Sequence, residues 1–196
     1  MNENHRIEPA TDAVLVVDVQ RDFCPGGALA VPNGDEVVPV LARWLALEDV
    51  FKVLTRDWHP PDHSSFKAQG GPWPPHCVRD TPGAKFHPGL PAERANKIVS
   101  KAVTAEAEAY SGFDGTDLAG ELRLRGVERI WVGGLATEYC VKATVLDAIK
   151  LGFSVCVIVD AIRGIEANAG DCDRARKEME EAGATFVTTD EILGKE

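Results

Sequence analysis

The sequence contains no apolar run long enough to cross a bilayer. Its longest stretches, such as Ala13 to Val17 and Phe153 to Val159, fall far short of the ~20 residues required, so no membrane segment is expected. It has no excess of basic residues either: 21 Lys and Arg stand against 31 Asp and Glu, a net charge of −10, and such a surface disfavours a nucleic-acid partner. Cys-x-x-Cys spacing is absent, and the five cysteines (Cys24, Cys77, Cys140, Cys156 and Cys172) are an odd number, which argues against a disulfide framework. The segment from Met1 to Pro9 is polar and lacks the apolar core of a signal peptide. A reduced, cytoplasmic location fits these absences. No internal repeat or low-complexity tract interrupts the chain, and Gly194 to Glu196 reads as a frayed end. What remains is 196 residues with 44% apolar and 27% charged side chains, the makeup of one full-sized globular domain spanning 1–196.

Short β-branched runs recur at Asp12–Asp18, Val50–Thr55, Lys97–Ser100, Arg129–Leu135, Ser154–Val159 and Ala184–Thr188. Runs without polar alternation suit strands buried on both faces of a parallel sheet. Between them lie segments of helical spacing: Val37, Val40, Leu41, Trp44 and Leu45; Leu118, Leu122 and Leu124; Val141, Val145, Leu146 and Ile149; Cys172, Ala175, Met179 and Ala182. Alternation of this kind predicts a three-layer α/β fold with helices on both faces of the sheet, and its ligands should bind beyond the carboxyl ends of the strands.

One segment breaks the rhythm. His59 to Pro91 holds 8 of the 12 prolines and 4 of the 5 histidines without sustained periodicity, so it reads as a long, stiffened, functional loop. Asp57-Trp58-His59 leads into it, and His63 and His76 lie within it. A carboxylate and two imidazoles with positions left open form a donor set for a divalent transition metal. The same histidines could serve as hydrogen-bonded loop residues, and Cys77 beside His76 would allow a closed structural zinc site. His5 and His87 read as surface residues.

Cys140 follows the Arg129–Leu135 strand and falls in the first turn of the next helix, with Thr137 as a plausible N-cap. Exposed N–H groups there favour a thiolate and would lower the thiol pKa from its free value of roughly 8.5. The position suits a nucleophile and a packing cysteine equally, whereas Cys156, inside its apolar strand, and Cys172, on the inner face of its helix, read as packing residues. Asp18 and Lys101 close the first and third strands at the same rim, where a carboxylate and an ammonium could accept the thiol proton and hold the charges. Each alone would also pass as a loop carboxylate or a solvated strand-end lysine. Phe23, Trp73, Tyr110 and Phe113 are loop aromatics that could wall a pocket for a flat ring or seal a core edge.

Five ordered segments carry a resemblance. They are Asp18-Val19-Gln20-Arg21-Asp22-Phe23-Cys24-Pro25-Gly26-Gly27, Arg56-Asp57-Trp58-His59-Pro60, Trp73-Pro74-Pro75-His76-Cys77-Val78, Tyr110-Ser111-Gly112-Phe113-Asp114 and Gly134-Leu135-Ala136-Thr137-Glu138-Tyr139-Cys140-Val141. Together with Lys101 they resemble the nicotinamidases of the isochorismatase-like hydrolase superfamily. The resemblance implies a six-stranded parallel sheet in the order 3-2-1-4-5-6. It implies Asp18, Lys101 and Cys140 as a catalytic triad and Asp57, His59 and His76 as ligands of a divalent metal, most simply zinc, with iron or manganese as alternatives. In similar enzymes His63 is in some cases a further ligand. Phe23, Trp73 and Tyr110 match residues that enclose the pyridine ring of nicotinamide. A cis peptide at Leu135-Ala136 would aim the Ala136 and Cys140 N–H groups into an oxyanion hole, with the Thr137 hydroxyl capping Tyr139.

The implied activity is amide hydrolysis of nicotinamide, and also of pyrazinamide, by a single small-molecule enzyme or its homo-oligomer. The sequence departs from the family pattern at Arg21, where Asn is usual, and at Asp80, where Gly is common; Arg21 lies close enough to the crevice to alter substrate preference. Two alternatives stand beside this reading: another cysteine amidase of the superfamily acting on a carbamoyl or ureido compound, and a non-catalytic, zinc-stabilised binding protein.

Overall fold

A computed structural model describes residues 6–195; His5 and Glu196 lie outside the described residues. Six strands form one parallel sheet: β1 (Asp12–Val17), β2 (Phe51–Asp57), β3 (Lys97–Lys101), β4 (Arg129–Leu135), β5 (Ser154–Arg163) and β6 (Thr185–Val187), in the order β3-β2-β1-β4-β5-β6. Every residue of β1 is buried, as its unbroken apolar run requires of a central strand covered on both faces. The sheet splits the core into two clusters. On one side Val14, Val16, Leu54, Trp131 and Ile158 pack with Leu41 and Trp44 of α1 (Val37–Leu45). On the other, Ala13, Leu15, Val53 and Val132 meet Leu122 of α2 (Leu118–Leu124), Val145 of α3 (Lys142–Lys150) and Met179 of α4 (Asp171–Glu181). Among the described residues no helix is long and apolar enough to cross a membrane.

Three strands run further than their apolar stretches suggest. β2 and β3 extend to Asp57 and Lys101, which are register partners; the charged residues at their ends pair with each other instead of fraying into loops. β5 continues to Arg163, with a register shift that moves the partner from Val157 at Val132 to Ile162 at Gly134. Gly134 itself has φ +131° and sits so close to β1 that a Cβ there would lie 2.1 Å from Val17 O. That approach draws the ends of β1 and β4 together at the point where the strand order reverses.

The chain ends on α5 (Thr189–Leu193), a short helix that the apolar spacing does not reveal. Thr188 and Glu191 form a reciprocal capping box at its start, and its C-cap Gly194 is held by its carbonyl, which accepts from the Arg43 guanidinium. The proline-rich loop is folded on itself by the isolated bridges His59–Val78 and Phe66–Trp73 and tied to the segment after β1 by Gln20–Phe86.

Candidate active site

The carboxyl ends of β1, β2, β3 and β4 deliver their functional side chains to one buried point. Asp18 follows β1 in a left-handed conformation, φ +51°, a region non-glycine residues rarely occupy and one that recurs at functional sites. Its Oδ1 accepts from Thr55 Oγ1 at 2.6 Å. Its Oδ2 lies 2.9 Å from Lys101 Nζ as an ion pair, yet is a buried atom with no aligned hydrogen-bond donor. Lys101 Nζ also donates to Asp57 Oδ1 and to Ala109 O at 3.0 Å, and reaches Cys140 Sγ at 3.5 Å. One buried ammonium therefore serves two carboxylates and a thiol.

The electrostatics follow from that count. Burial pulls the Lys101 ammonium down, but Asp18 and Asp57 outweigh it and hold its pKa well above the ordinary lysine value. Burial pushes Asp57 up, but Lys101 and His59 prevail and keep its carboxyl well below the usual range. Asp18 is the opposite case: burial raises its pKa, and Lys101, shared with Asp57, does not fully offset the rise. Burial also pushes the Cys140 thiol well up against the pull of Lys101, which corrects the expectation that a helix end would lower it. Cys140 is thus a thiol at rest, beside a carboxylate made more basic than usual and with an acceptor oxygen free.

The turn carrying Cys140 differs from the expected helix start. Thr137–Val141 form one π-helical turn before α3; the residue preceding it is Ala136, and no side chain caps it. Thr137 is therefore neither the N-cap nor a partner of Tyr139. The Tyr139 and Val141 N–H groups instead both donate to Ala136 O, at 3.0 and 3.2 Å. In an α-helix that carbonyl would take the Cys140 N–H; here it passes over it. Wide turns of this kind are frequent at functional sites. The Leu135-Ala136 peptide is cis.

Asp57, His59 and His76 place one ligand atom each within 4.8 Å of one another, all buried. His59 Nδ1 faces Ala102 O at 3.2 Å and His76 Nδ1 faces Pro74 O at 2.8 Å. A carbonyl can only accept, so both Nδ1 atoms carry a proton, and in the neutral imidazole Nε2 is then the atom left to donate a lone pair. His59 Nε2 is buried without a partner and lies 3.5 Å from Asp57 Oδ2. Two electron pairs turned towards each other in a buried site form a cation's donor set, and the backbone carbonyls behind the imidazoles are the usual orienting partners. Burial holds the His76 imidazole below its ordinary pKa, the neutral form that ligation needs.

His63 stacks on His59 at 4.1 Å, but its ring nitrogens face Ser65 Oγ at 2.7 Å and Ala107 O at 3.2 Å, so the structure leaves it no free ligand atom. Cys77 stands outside the group as well. Its φ of +46° turns it into the apolar core, while its N–H donates to Asp22 Oδ2 at 2.8 Å.

Phe23 packs 5.5 Å from His76, and Trp73 Nε1 donates to Tyr110 OH at 3.1 Å. Phe113 is not part of this wall: it is buried and stacks on Phe153 at 6.1 Å. Tyr139, to which the loop-aromatic argument assigned no role, stands between Trp73 and Tyr110 at 5.2 and 5.9 Å. Cys156 is buried as expected, whereas Cys172 is half-buried and donates to Glu138 Oε2 at 3.5 Å. Arg21 is exposed.

Gln20 has no reactive side chain, yet the fold gives it a place at the site. Fully buried, it donates to Asp57 O at 2.8 Å and Ala84 O at 2.9 Å and accepts from Asp57 N at 2.7 Å. The amide clamps the backbone of a metal-ligand candidate from both sides. The sequence signal is a polar residue two positions beyond Asp18, just past the apolar run from Ala13 to Val17. Gln20→Leu is expected to weaken zinc binding by about 10–100-fold, measured by competition with a chromogenic chelator. An unchanged affinity would show that Asp57 is held without it.

Comparisons with known proteins agree with this geometry. The chain is 40% identical over 200 residues to the nicotinamidase of Escherichia coli K12, covering 90% of this chain and 94% of that protein. A solved pyrazinamidase of Pyrococcus horikoshii in complex with zinc superposes with a TM-score of 0.85 at 51% identity, over 90% of this chain and 98% of that one. The L. infantum protein PnC1, solved in complex with nicotinate, gives 0.91 at 35% identity over 95% and 97%. The isochorismatase domain model matches residues 12–191, a span that runs from the first residue of β1 into α5 and includes every side chain of the site. The chain is a member of the isochorismatase family.

Proposed function

We propose that this protein is an amidohydrolase that converts nicotinamide to nicotinate and ammonia through a thioester on Cys140. The observation that carries the reading is the convergence, in one buried site, of the Asp18–Lys101–Cys140 cluster with the Asp57–His59–His76 donor set. In this mechanism Asp18 Oδ2 takes the thiol proton, and Lys101 balances the charge as Cys140 Sγ attacks the carboxamide carbon. The Ala136 and Cys140 N–H groups receive the developing oxyanion. Asp18 then returns its proton to the departing nitrogen, the C–N bond breaks and ammonia leaves. Asp18 next takes a proton from a water that attacks the thioester, releasing nicotinate and the Cys140 thiol. Phe23, Trp73 and Tyr110 hold the flat ring and keep bulk water from the thioester.

A divalent ion, zinc on this donor set, would be held by Asp57, His59 and His76 and would supply a Lewis-acidic point for the ring nitrogen. Pyrazinamide keeps a nitrogen at the equivalent ring position and is expected to be hydrolysed; benzamide lacks it. Chelation or His76→Ala is therefore expected to lower nicotinamide turnover much more than residual benzamide turnover, because only nicotinamide loses a bond. Ammonia release from the two amides, with and without chelator, tests this. Equal losses would assign the ion to holding the loop instead, and no ammonia from nicotinamide under any metal condition would refute the activity.

A further inference from the structure

The π-turn that carries Cys140 is fastened from outside by a residue to which the proposed chemistry gives no part. Glu138, two positions before Cys140, is 8% exposed and turns away from the triad. Its Oε1 accepts the backbone N–H groups of Ile165 and Glu166, each at 2.8 Å, and its Oε2 accepts from Cys172 Sγ at 3.5 Å. Two donors from the segment between β5 and α4, and a third from the first turn of α4, thus grip one carboxylate on the turn. The segment is shaped for this grip: Glu166 is left-handed at φ +54°, and a Cβ on Gly164 would stand 2.3 Å from Glu138 Oε2 and 2.1 Å from Cys172 Sγ. Any side chain at 164 would therefore push the Glu138 carboxylate and the Cys172 thiol out of these positions.

The consequence lies in the turn's width. A turn in which Ala136 O bonds Tyr139 and Val141 while skipping Cys140 competes with the ordinary α-helical pairing, in which Ala136 O would take the Cys140 N–H. Relaxation to that pairing would consume an oxyanion donor and swing Sγ away from Asp18 and Lys101. Charge-assisted hydrogen bonds to backbone N–H groups are among the stronger ones available, and here they pull the turn outward at Glu138.

Resting on the thioester mechanism above, we infer that Glu138 is a positioning residue: its anchorage to the Ile165–Glu166 backbone holds the π-turn open so that the Cys140 N–H stays available to the oxyanion. The segment around Gly164 thereby belongs to the catalytic apparatus without touching substrate.

The test compares parent, Glu138→Ala, Glu138→Gln, Gly164→Ala and the double variant Glu138→Ala/Gly164→Ala. Glu138→Ala is expected to lose about 10²-fold in kcat for nicotinamide, the scale of one oxyanion donor, with KM little changed. Glu138→Gln keeps an oxygen that accepts both N–H groups and should stay within about fivefold of the parent. Nicotinaldehyde supplies a readout independent of turnover. Sγ adds to its carbonyl carbon, the thiol proton passes to Asp18 or to the new oxygen, and that oxygen occupies the oxyanion position. Its inhibition constant should rise in step with the fall in kcat, while nicotinate affinity holds.

Gly164→Ala displaces the same carboxylate from the other side. If both substitutions act through Glu138, the double variant loses no more than the worse single one. Additive losses, or an unchanged nicotinaldehyde constant in Glu138→Ala, overturn the inference, and should Glu138→Ala fail to fold, Gly164→Ala against nicotinaldehyde decides it. A parent protein that releases no ammonia from nicotinamide refutes the activity itself, an outcome separate from any of these.

Discussion

Cys140→Ala is expected to abolish nicotinamide hydrolysis, with a loss of at least ~10³-fold in kcat, because members of a triad fail as a unit. The proposed route needs a sulfur to form the thioester, and no other thiol reaches the site: Cys24, Cys77 and Cys156 are buried in the apolar core, and Cys172 sits with Glu138 on the far side of the turn. The fold should survive. Removing one atom from a well-packed position costs about 1 kcal/mol, and Cys140 is neutral at rest, so Lys101 keeps both of its carboxylate partners. Ammonia release and a thermal melt on the same preparation check both halves. Turnover within about tenfold of the parent in a folded variant would remove Cys140 as the nucleophile.

Asp18→Asn should be nearly as damaging to turnover, by roughly 10³-fold, because the amide can neither take the thiol proton nor return one to the leaving nitrogen. Its effect on the resting thiol has the opposite sign. Burial is what mainly holds the Cys140 thiol up; after it, Lys101 pulls the pKa down while the Asp18 charge pushes it up. Substitution deletes the opposing charge and leaves the cation, so the thiol pKa falls and the midpoint of alkylation against pH moves to lower pH. At neutral pH iodoacetamide should therefore label Cys140 in Asp18→Asn at least as fast as in the parent, although hydrolysis has collapsed. That divergence marks a proton carrier. Alkylation and turnover falling by the same factor would instead mean that Asp18 serves only to ionise the resting thiol.

The strands and their parallel arrangement were legible because apolar runs without polar alternation have few other uses, and β1, β4 and β5 lie close to where those runs begin. Boundaries were less legible where charge entered. Asp57 and Lys101 look like the loop residues that terminate β2 and β3, yet they extend both strands because each neutralises the other across the register. The short α5 is betrayed only by its capping box, since five residues hold too little periodicity to read.

The site divides along a similar line. Residue type and order along the chain, compared with the family pattern, were enough to nominate Asp18, Lys101, Cys140, Asp57, His59 and His76, because a thiol, a base, an ammonium and imidazoles carry their chemistry in their side chains wherever they lie. His63 and Phe113 have the same side-chain chemistry as the residues nominated with them, and only their surroundings set them apart: Ser65 and Ala107 face both nitrogens of one, and Phe153 covers the ring of the other. Gln20 and Glu138 both bind backbone groups, which side-chain chemistry does not display, and only the place of Gln20 just past an apolar run hints at it.

The direction of each ionisation was likewise a matter of tertiary structure. From the sequence a thiol at a helix start should be acidic; in the fold it is buried to 5% exposure against a carboxylate, and desolvation is the largest influence on it, exceeding the pull of Lys101. The sequence by itself determined which reactive groups exist, on which elements, and hence the class of chemistry open to the protein. Their protonation states, the hydrogen-bond partners of each histidine and the open turn at Cys140 were decided by the folded structure alone, because burial, hydrogen-bond partners and distance exist only once strands remote in sequence are brought side by side.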